Sequence, residues 1–298
     1  MKILLFGMNG QVGWELQRSL APLGELVALD FDSPGPLGAD FTQPDSLAAT
    51  VRAVAPGIIV NAAAHTAVDQ AEDEPELART INAVSPAILA REAAAAGAWL
   101  VHYSTDYVFD GSGNMPWQED APTKPLNVYG QTKLEGEQAI RASGCRHLIL
   151  RTSWVYAARG GIFARTMLRL AAERDKLDVI DDQVGAPTGA ELLADVTAHA
   201  LHRVLAQPGL AGTYHAVAGG ATSWHGYAQH VIEFARLAGQ PIRVRAQNIA
   251  PVATSAFPTP ARRPLNSRLD TCKLQQTFGL TLPHWHIGVE RRLREVLG

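Results

Sequence analysis

The sequence predicts an α/β fold, a doubly wound parallel β-sheet followed by a smaller mixed α/β region. Two observations carry this prediction. Short apolar runs alternate with helical patterns through the first half of the chain. Those runs are continuously apolar, which is typical of strands covered by helices on both faces of a parallel sheet. Connections between such strands are right-handed, and this gives the doubly wound arrangement.

The elements follow in chain order. We predict strands at residues 3–6, 25–29, just before 40, 57–60, 99–103 and 147–151, and helices at 12–20, 44–54, 76–96 and 128–142. Beyond residue 151 we predict helices at 162–173, 189–205, 223–238 and from 283 onward, and strands at 177–180, 212–217 and 242–245. The stretch 251–267 carries no predicted element. A boundary near residue 155 divides the chain into 1–155 and 156–298, with some later helices or strands returning to the first sheet.

The composition restricts the class of protein. The chain has 298 residues, 47% hydrophobic and 18% charged, enough for one large or two ordinary domains. A formal net charge of −3 without a Lys/Arg block argues against a nucleic acid polymer as partner. Cys145 and Cys272 lie in no metal-ligand spacing, which fits a reducing cytoplasm. The short apolar N-terminus reads as a buried strand and no stretch could cross a membrane, so we expect a soluble cytoplasmic protein.

A glycine turn joins the first strand to the first helix, with Gly7, Gly10 and Gly13 at three-residue intervals and Gln11 and Val12 between the last two. Glycines here let the backbone approach a pyrophosphate and let the helix pack close to the strand. The position after an N-terminal strand favours a Rossmann-like dinucleotide-binding domain in residues 1–155, although the spacing is not the common G-x-G-x-x-G. The alternative is an ordinary strand–helix turn that needs flexible residues.

Residues at other strand ends are predicted to line the cofactor. Asp30 ends the second strand, where a carboxylate accepts from ribose hydroxyls and disfavours a 2′-phosphate. NADH should therefore be accepted, without excluding NADPH; alternatively, Asp30 is a cap or turn residue. Asp40 and Phe41 follow the expected third strand, and the aromatic ring could cover the adenine. The small residues after the fourth strand that a cofactor could lie across are Ala62, Ala63, Ala64 and Thr66.

Three residues are predicted to act together in catalysis. Tyr129 and Lys133 are four residues apart at the start of a predicted helix and so share one face. An adjacent cation lowers the pKa of a phenol, which makes the pair a proton-transfer device. Thr105 ends the fifth predicted strand, and the carboxyl ends of parallel strands meet at one edge. A hydroxyl, a phenol and a lysine together suit carbonyl reduction by hydride. The alternative is an amphipathic helix with Tyr and Lys on its rim.

Together these motifs resemble the extended short-chain dehydrogenase/reductase superfamily, and more closely the dTDP-4-dehydrorhamnose reductases. The likeness spans nearly the whole chain, without a gap at a matched catalytic position. The stretches that carry it are residues 6–16, 60–69, 102–109, 129–133, 151–156, 182–189, 258–264 and 266–269. Only Met8, Asn9 and the Pro-rich loop after Asp32 depart locally from the pattern.

The resemblance implies the last step of dTDP-L-rhamnose synthesis, which feeds cell-surface polysaccharide. A hydride from NADPH or NADH would reduce the 4-keto group of the small-molecule nucleotide sugar dTDP-4-dehydro-L-rhamnose. By position, Tyr129 would give its proton to the nascent alkoxide. Lys133 would hold the nicotinamide ribose and lower the pKa of Tyr129, and Thr105 would bond the substrate oxygen.

The same resemblance implies that residues 156–298 mainly bind the substrate. Asp106 and Trp154 would contact the sugar, with Trp154 as a core residue the alternative. Arginine forks suit phosphate, although a solvated basic loop is an open alternative for the two arginines. The residues implied to bind the nucleotide and pyrophosphate are Gln183, Pro187, Thr188, Arg262 and Arg263.

The resemblance further implies a homodimer, in some relatives with Mg²⁺ at the subunit contact. Glu15 and Glu191 carry carboxylates where that ion would want oxygen ligands. Exposed helix glutamates are the alternative explanation. No residue of the active site itself is expected to bind a metal.

Three other functions compete with reduction. A 4,6-dehydratase of this superfamily places Asp-Glu after the strand-end Ser/Thr, whereas this chain has Asp106-Tyr107 and lacks that base. An epimerase uses the same three residues with retained NAD⁺ and stays open. A non-catalytic, dinucleotide-binding regulatory subunit is a rival from a different class, because the presence of these groups does not prove turnover.

Overall fold

A computed structural model describes residues 1–158 and 163–297 of the chain. Within these residues, six parallel strands form the main sheet. The strands in chain order are β1 Lys2–Phe6, β2 Glu25–Leu29, β3 Ile58–Asn61, β4 Trp99–Thr105, β5 Arg146–Thr152, β6 Val155–Tyr156, β7 Leu177–Ile180, β8 Val184–Gly185, β9 Thr188–Gly189, β10 Gly212–His215, β11 Thr222–Ser223 and β12 Ile249–Val252.

Helices follow most of these strands. In chain order they are α1 Gln11–Leu20, α2 Pro44–Val54, α3 Gln70–Asp73, α4 Pro75–Arg79, α5 Ser85–Ala96, α6 Val128–Ala142, α7 Phe163–Glu173, α8 Ala190–Ala206, α9 Trp224–Leu237, α10 Cys272–Phe278 and α11 Trp285–Leu297. A π-helical segment, Thr80–Val84, links α4 to α5. None of the helices in the described ranges is long and apolar enough to span a bilayer.

The main sheet has the strand order β10-β5-β4-β3-β1-β2, and every neighbouring pair is parallel. The chain builds outward from β1 to β2 in one direction and from β3 onward in the other. The carboxyl ends of β1 and β3 therefore flank the point where the strand order reverses. In open α/β sheets, ligands bind in the crevice outside this point.

The central strands of the sheet are covered on both faces. In β1, Ile3 and Leu5 pack with α1 and α8, whereas Leu4 and Phe6 pack with α2, α5 and α6. All four side chains are fully buried. Burial on both faces explains why these strands read as continuous apolar runs. The predicted α/β fold with a doubly wound parallel sheet is therefore confirmed.

The segment before Asp40 is not the predicted third strand. Pro34 and Pro36 lack the N–H that a strand ladder requires. The Gly38 carbonyl instead accepts a hydrogen bond of 2.7 Å from the Thr50 hydroxyl on α2. The chain thus crosses from β2 to α2 as an irregular segment, and the strands predicted as fourth and fifth are β3 and β4.

One further prediction in the second half was wrong, and one helix was missed. Residues 242–245 are not a strand, because the N–H groups of Arg243 and Val244 both bond the Ala171 carbonyl at the end of α7. The strand of this region is β12, which pairs with β7. Helix α10 was not predicted. The predicted helix start at residue 162 lies outside the described ranges.

The C-terminal half is built from smaller units beside the main sheet. Strand β10 returns to the main sheet beside β5, and α8 packs on α1. The pairs β7–β12, β8–β11 and β6–β9 form separate two-stranded sheets. Two apolar clusters on α7, α9 and α11 form the core of this half.

Candidate active site

A cavity of about 790 Å³ lies at the carboxyl ends of the main strands. It runs from the turn after β1 to the start of α6. All but one of the residues predicted to contact the cofactor line it. Those residues are Gly7, Gly10, Gln11, Val12, Asp30, Asp40, Phe41, Ala62, Ala63, Ala64, Thr66, Tyr129 and Lys133.

Gly13, the remaining predicted residue, packs helix α1 against the turn. A Cβ atom at Gly13 would lie 1.9 Å from the Gly7 carbonyl oxygen. Gly7 itself has φ +82°, and a Cβ there would lie 2.7 Å from the Ala63 nitrogen. The turn therefore brings the N-terminus of α1 and bare backbone to the cavity wall, the arrangement that accommodates a pyrophosphate.

The Asp30 carboxylate ties the end of β2 to this turn. Its two oxygens accept hydrogen bonds of 2.8 Å from the backbone N–H groups of Asn9 and Phe31. The residue is thus both a turn residue and part of the cavity wall, so the two alternatives raised by the sequence are compatible. Carboxylate lone pairs left by these bonds are free to accept from a ribose hydroxyl.

Phe41 is not an available ring for stacking on an adenine. It is only 5% exposed and packs edge-on against Phe6, with ring centroids 5.6 Å apart. Phe31, which the sequence did not single out, is 73% exposed and lines the same cavity. An aromatic residue directly after the strand-end Asp was the sequence signal that could have identified it. Asp40 is held by Thr42 and Gln43, and these bonds outweigh burial and lower its pKa.

Helix α6 presents Tyr129 and Lys133 to the other end of the cavity. Asn127 caps the helix, its side-chain oxygen accepting from the Gly130 N–H at 2.8 Å. The Lys133 ammonium group is buried and donates to the Tyr103 carbonyl at 2.6 Å. Thr105, at the end of β4, accepts from the Tyr107 N–H at 3.1 Å. The fold therefore brings the three predicted catalytic residues to one region.

Burial changes the pKa values of Tyr129 and Lys133. Burial raises the pKa of Tyr129 to about 12, against an opposing hydrogen bond with Thr105. Burial also lowers the pKa of Lys133 to about 8. Burial thus raises the pKa of Tyr129 in this structure, opposite to the lowering predicted from Lys133. The phenol stays protonated at neutral pH, as a proton donor must.

Asp106 lies buried beside Thr105. Its Oδ1 accepts from the Thr105 hydroxyl at 3.1 Å, and burial raises its pKa to about 7. The other oxygen, Oδ2, makes no hydrogen bond of normal distance and angle among the described residues, although the nearby Ser267 hydroxyl lowers the pKa of this carboxyl. A buried oxygen of this kind next to the Thr105 hydroxyl is suited to a polar group of a bound ligand.

An aromatic stack follows the end of β5. Trp154 has a positive φ of +47°, which is strained for a bulky residue. Its ring stacks on Trp224 with centroids 3.7 Å apart. The Trp224 indole donates to the Gln183 side chain at 3.1 Å. The structure thus brings Trp154 and Gln183 together through Trp224, which no sequence motif had indicated.

Three of the residues expected to contact the nucleotide are engaged elsewhere. Thr188 is fully buried, donating to the Ala186 carbonyl at 2.9 Å and accepting from the Ala218 N–H at 3.1 Å, and the adjacent Pro187 is buried. Arg263 forms a bidentate ion pair with Asp69, at 3.0 and 2.7 Å. Arg262 keeps an exposed side chain.

The Mg²⁺ prediction at Glu15 and Glu191 gains no support. Across residues 1–158 and 163–297, no group of three or more His, Cys, Asp or Glu side chains could hold a metal ion. Glu191 is a partly buried carboxyl whose pKa is raised by burial, with Glu15 contributing repulsion. Glu15 lies near Arg18 at 3.8 Å.

A parallel sheet with a glycine turn, together with a hydroxyl, a phenol and a lysine at the far end of its crevice, defines a dinucleotide-dependent oxidoreductase of the short-chain dehydrogenase/reductase type. The chain belongs to the family described as RmlD substrate binding domain, whose model matches residues 1–297. The match includes the glycine turn as well as the C-terminal half.

The names of similar proteins and solved structures are consistent with this family. The dTDP-4-dehydrorhamnose reductase of Escherichia coli (strain K12) is 60% identical over 296 residues, covering 99% of this chain and 98% of that protein. A dTDP-4-dehydrorhamnose reductase from Clostridium acetobutylicum has a similar structure, with a TM-score of 0.87 and 35% identity over 100% of both chains. The corresponding Bacillus anthracis enzyme, solved in complex with NADP, gives a TM-score of 0.86 and 34% identity over 99% of both chains.

Proposed function

We propose that the chain reduces the 4-keto group of dTDP-4-dehydro-L-rhamnose with NADPH or NADH, producing dTDP-L-rhamnose in the last step of that nucleotide sugar's synthesis. One observation carries the proposal. Tyr129 and Lys133 line the end of the cavity that starts at the glycine turn, and Thr105 hydrogen-bonds Tyr129, in a chain 60% identical to a protein named for this reaction.

The cavity wall fits a dinucleotide. The backbone at Gly7 and Gly10 lines the cavity, the N-terminus of α1 favours a pyrophosphate, and Asp30 accepts from ribose hydroxyls. A reduced nicotinamide bound there would supply the hydride. We assign residues 1–155 mainly to this binding and residues 156–298 mainly to the nucleotide sugar.

Side chains of this protein would position the substrate carbonyl and supply the proton. Thr105 holds the carbonyl oxygen in place, and Tyr129 gives its phenolic proton to the alkoxide that forms at that oxygen. A phenol with a pKa raised to about 12 holds its proton at neutral pH and still gives it readily to an alkoxide, a stronger base. Lys133 lies one helical turn further along, on the same wall.

Substrate contacts would come from the side facing the C-terminal half. Asp106 offers its unsatisfied oxygen to a sugar hydroxyl, and Trp154 with Trp224 offers a flat apolar wall. Gln183 is held against that wall. Arg262 has an exposed guanidinium for a phosphate, whereas Arg263 could reach one only by leaving Asp69.

The test is an assay with dTDP-4-dehydro-L-rhamnose and either reduced cofactor. We expect one NADPH or NADH to be oxidised for each sugar reduced, and Asp30 leads us to expect that NADH is accepted. Folded protein that consumes no reduced cofactor would refute the proposal. An epimerase would interconvert sugars without net oxidation, and a regulatory subunit would bind the cofactor without turnover.

We also propose that the protein acts as a homodimer in the cytoplasm. The family resemblance supports the homodimer, and the two separated cysteines support a reducing compartment. Light scattering of the purified chain at several concentrations tests the dimer. A mass equal to one chain throughout would contradict it.

A further inference from the structure

Two polar side chains, Asn61 and His102, lie beneath Lys133 inside the sheet. They are register partners on β3 and β4, and each is only 1% exposed. Phe6 and Leu100 are apolar neighbours on the same face. Buried polar groups are costly unless they are bonded. The reaction proposed above uses neither of them, so their presence requires a separate explanation.

The direction of each hydrogen bond in this pair follows from its donors. The Ala63 backbone N–H lies 3.0 Å from one side-chain atom of Asn61. A backbone N–H can only donate, so that atom is the amide oxygen. The amide nitrogen then faces His102 Nδ1 at 3.0 Å. An NH₂ group can only donate, so Nδ1 carries no proton and the neutral ring holds its proton on Nε2.

That Nε2–H points at Lys133. The distance from His102 Nε2 to Lys133 Nζ is 3.2 Å, while Nζ also donates to the Tyr103 carbonyl at 2.6 Å. An ammonium has three N–H groups and no lone pair, so it cannot accept from His102. A neutral amine can. The contact is therefore favourable only when Lys133 has lost a proton.

The surroundings of Lys133 also favour its neutral form. Burial lowers the pKa of Lys133 to about 8, and burial lowers the pKa of His102 well below its usual value. Glu137, on the same helix, raises the pKa of Lys133, but its carboxylate is paired with Arg151 at 2.7 and 2.9 Å. Tyr129, one helical turn before Lys133 on α6, is neutral at physiological pH.

We propose that Asn61 and His102 are positioning residues that stabilise the neutral amine of Lys133, so that its ammonium becomes a ready proton source for Tyr129. The idea rests on the proposed reductase function. Tyr129 breaks its O–H bond to protonate the substrate alkoxide. An N–H bond of Lys133 then breaks, and that proton restores the phenol. The electron pair left on Nζ accepts the His102 Nε2–H until solvent in the cavity returns a proton.

The first test needs no substrate and no cofactor. Nitrogen-15 NMR of the histidine rings distinguishes the two neutral tautomers in the wild-type chain. We expect His102 to show a bare Nδ1 and a protonated Nε2 at neutral pH. A proton on Nδ1, or on both nitrogens, would overturn the proposal. The result stands whether or not the chain reduces the proposed sugar.

The second test exchanges the donor and acceptor roles of the two ring nitrogens of His102. In Asn61→Asp, a carboxylate accepts from both Ala63 N–H and His102 Nδ1–H, leaving Nε2 as an acceptor for the ammonium. We expect the pKa of Lys133, followed by carbon-13 NMR of lysine side chains, to rise by about one unit. The carboxylate added by Asn61→Asp would raise the pKa of Lys133 by its charge alone. His102→Gln is therefore the comparison that adds no charge. Its amide oxygen can turn to the ammonium, and it should also raise this pKa.

The matched control is His147→Gln. His147 lies on the neighbouring strand β5 and bonds the Cys145 carbonyl at 2.9 Å. This change should leave the Lys133 titration where it is. If His102→Gln also left it unchanged, His102 would not tune Lys133 and the proposal would be wrong.

A pH profile of turnover separates positioning from mere structural support. In Asn61→Asp and His102→Gln, the fall of kcat at alkaline pH should shift to higher pH by about one unit. At neutral pH kcat should fall several-fold, since a weaker acid donates its proton more slowly. KM should change little. A uniform loss of activity at every pH, with the limb unmoved, would mean that the pair only supports the fold.

Discussion

The phenol of Tyr129 lies in a cavity wall that raises its pKa to about 12. The i,i+4 spacing to Lys133 was visible in the sequence and suggested the opposite shift. Spacing fixes which side chains share a helix face, but burial fixes how much each charged form costs. In this protein Lys133 is itself desolvated and directs one proton to the Tyr103 carbonyl. The raised pKa therefore favours a protonated phenol over an activated phenolate at Tyr129.

Removing that single proton tests the role of Tyr129. In Tyr129→Phe we expect kcat to fall by roughly 10²–10⁴-fold, the usual contribution of a positioned acid. Cofactor affinity should be nearly unchanged because the ring still fills the wall. The measurements are steady-state oxidation of NADPH and cofactor titration. Turnover close to that of the wild type would contradict the assignment.

A matched aromatic change provides the control. Tyr107 contacts the Tyr129 ring edge-on, with centroids 5.5 Å apart. Tyr107→Phe keeps this contact and leaves the Tyr129 hydroxyl in place. Turnover should stay within a few-fold of the wild type, which would separate loss of the acid from disturbance of the packing.

At the scale of elements, the join between β1 and α1 determines the cofactor end of the cavity. Gly13 lies in the first turns of α1, and its missing Cβ allows the helix to touch the Gly7 carbonyl. The sequence showed three regularly spaced glycines but not their different roles. Gly7 borders the cavity, whereas Gly13 sets how closely the helix approaches the strand.

Gly13→Ala should therefore harm both stability and cofactor binding. The added methyl would lie 1.9 Å from the Gly7 oxygen, so the helix or the turn must move. We expect a loss of about 1–3 kcal/mol in the free energy of unfolding, typical of an overpacked site. Cofactor affinity should fall at the same time. Urea unfolding and cofactor titration measure the two effects.

Gly209→Ala is the matched control for this change. No atom lies within 4 Å of the position that a Cβ would take at Gly209. Its free energy of unfolding should stay within about 0.5 kcal/mol of the wild type. Equal effects of the two substitutions would show that close packing at Gly13 is not the cause.

At the scale of the whole molecule, β10 connects the C-terminal half to the main sheet. Its last residue, His215, is completely buried, and its Nδ1 lies 3.1 Å from the Asp270 carbonyl oxygen. Burial is the main cause that lowers the pKa of His215 to about 3. A neutral histidine at this junction makes the stability of the molecule depend on pH.

The sign of that dependence follows from proton binding. Below a pH of about 6.5 the unfolded chain protonates this histidine, while the folded chain does not until about pH 3. The folded state is thus favoured fully above pH 6.5, and the benefit is lost as the pH falls. Between about pH 6 and pH 4, His215 should remove about 1.4 kcal/mol of unfolding free energy per pH unit.

His215→Asn tests this contribution, since an amide can replace the Nδ1–H donor but does not titrate. Its unfolding free energy, measured by urea at several pH values, should depend on pH less steeply by about one proton. The matched control is the same change at the exposed His202. An unaltered slope in His215→Asn would show that His215 is protonated in the folded chain.

Much of the architecture was determined by the sequence alone. Apolar runs, helix periodicity and the glycine turn are local properties, and they predicted β1, β2, α2 and α6 nearly to the residue. The same local rules placed Tyr129 and Lys133 on one helical face. Where local chemistry was ambiguous, as in the Pro- and Gly-rich segment before Asp40, the predicted strand was wrong.

The tertiary structure alone decided which partner each side chain takes. Arg263 pairs with Asp69, 194 positions away, and Trp154, between β5 and β6, stacks on Trp224 from helix α9. Phe41 became core while Phe31 became the exposed ring of the cavity. Hydrogen bonds, desolvation and packing depend on neighbours in space, and a single sequence does not specify those neighbours. The same holds for the pKa values of Tyr129 and Lys133, because burial sets them.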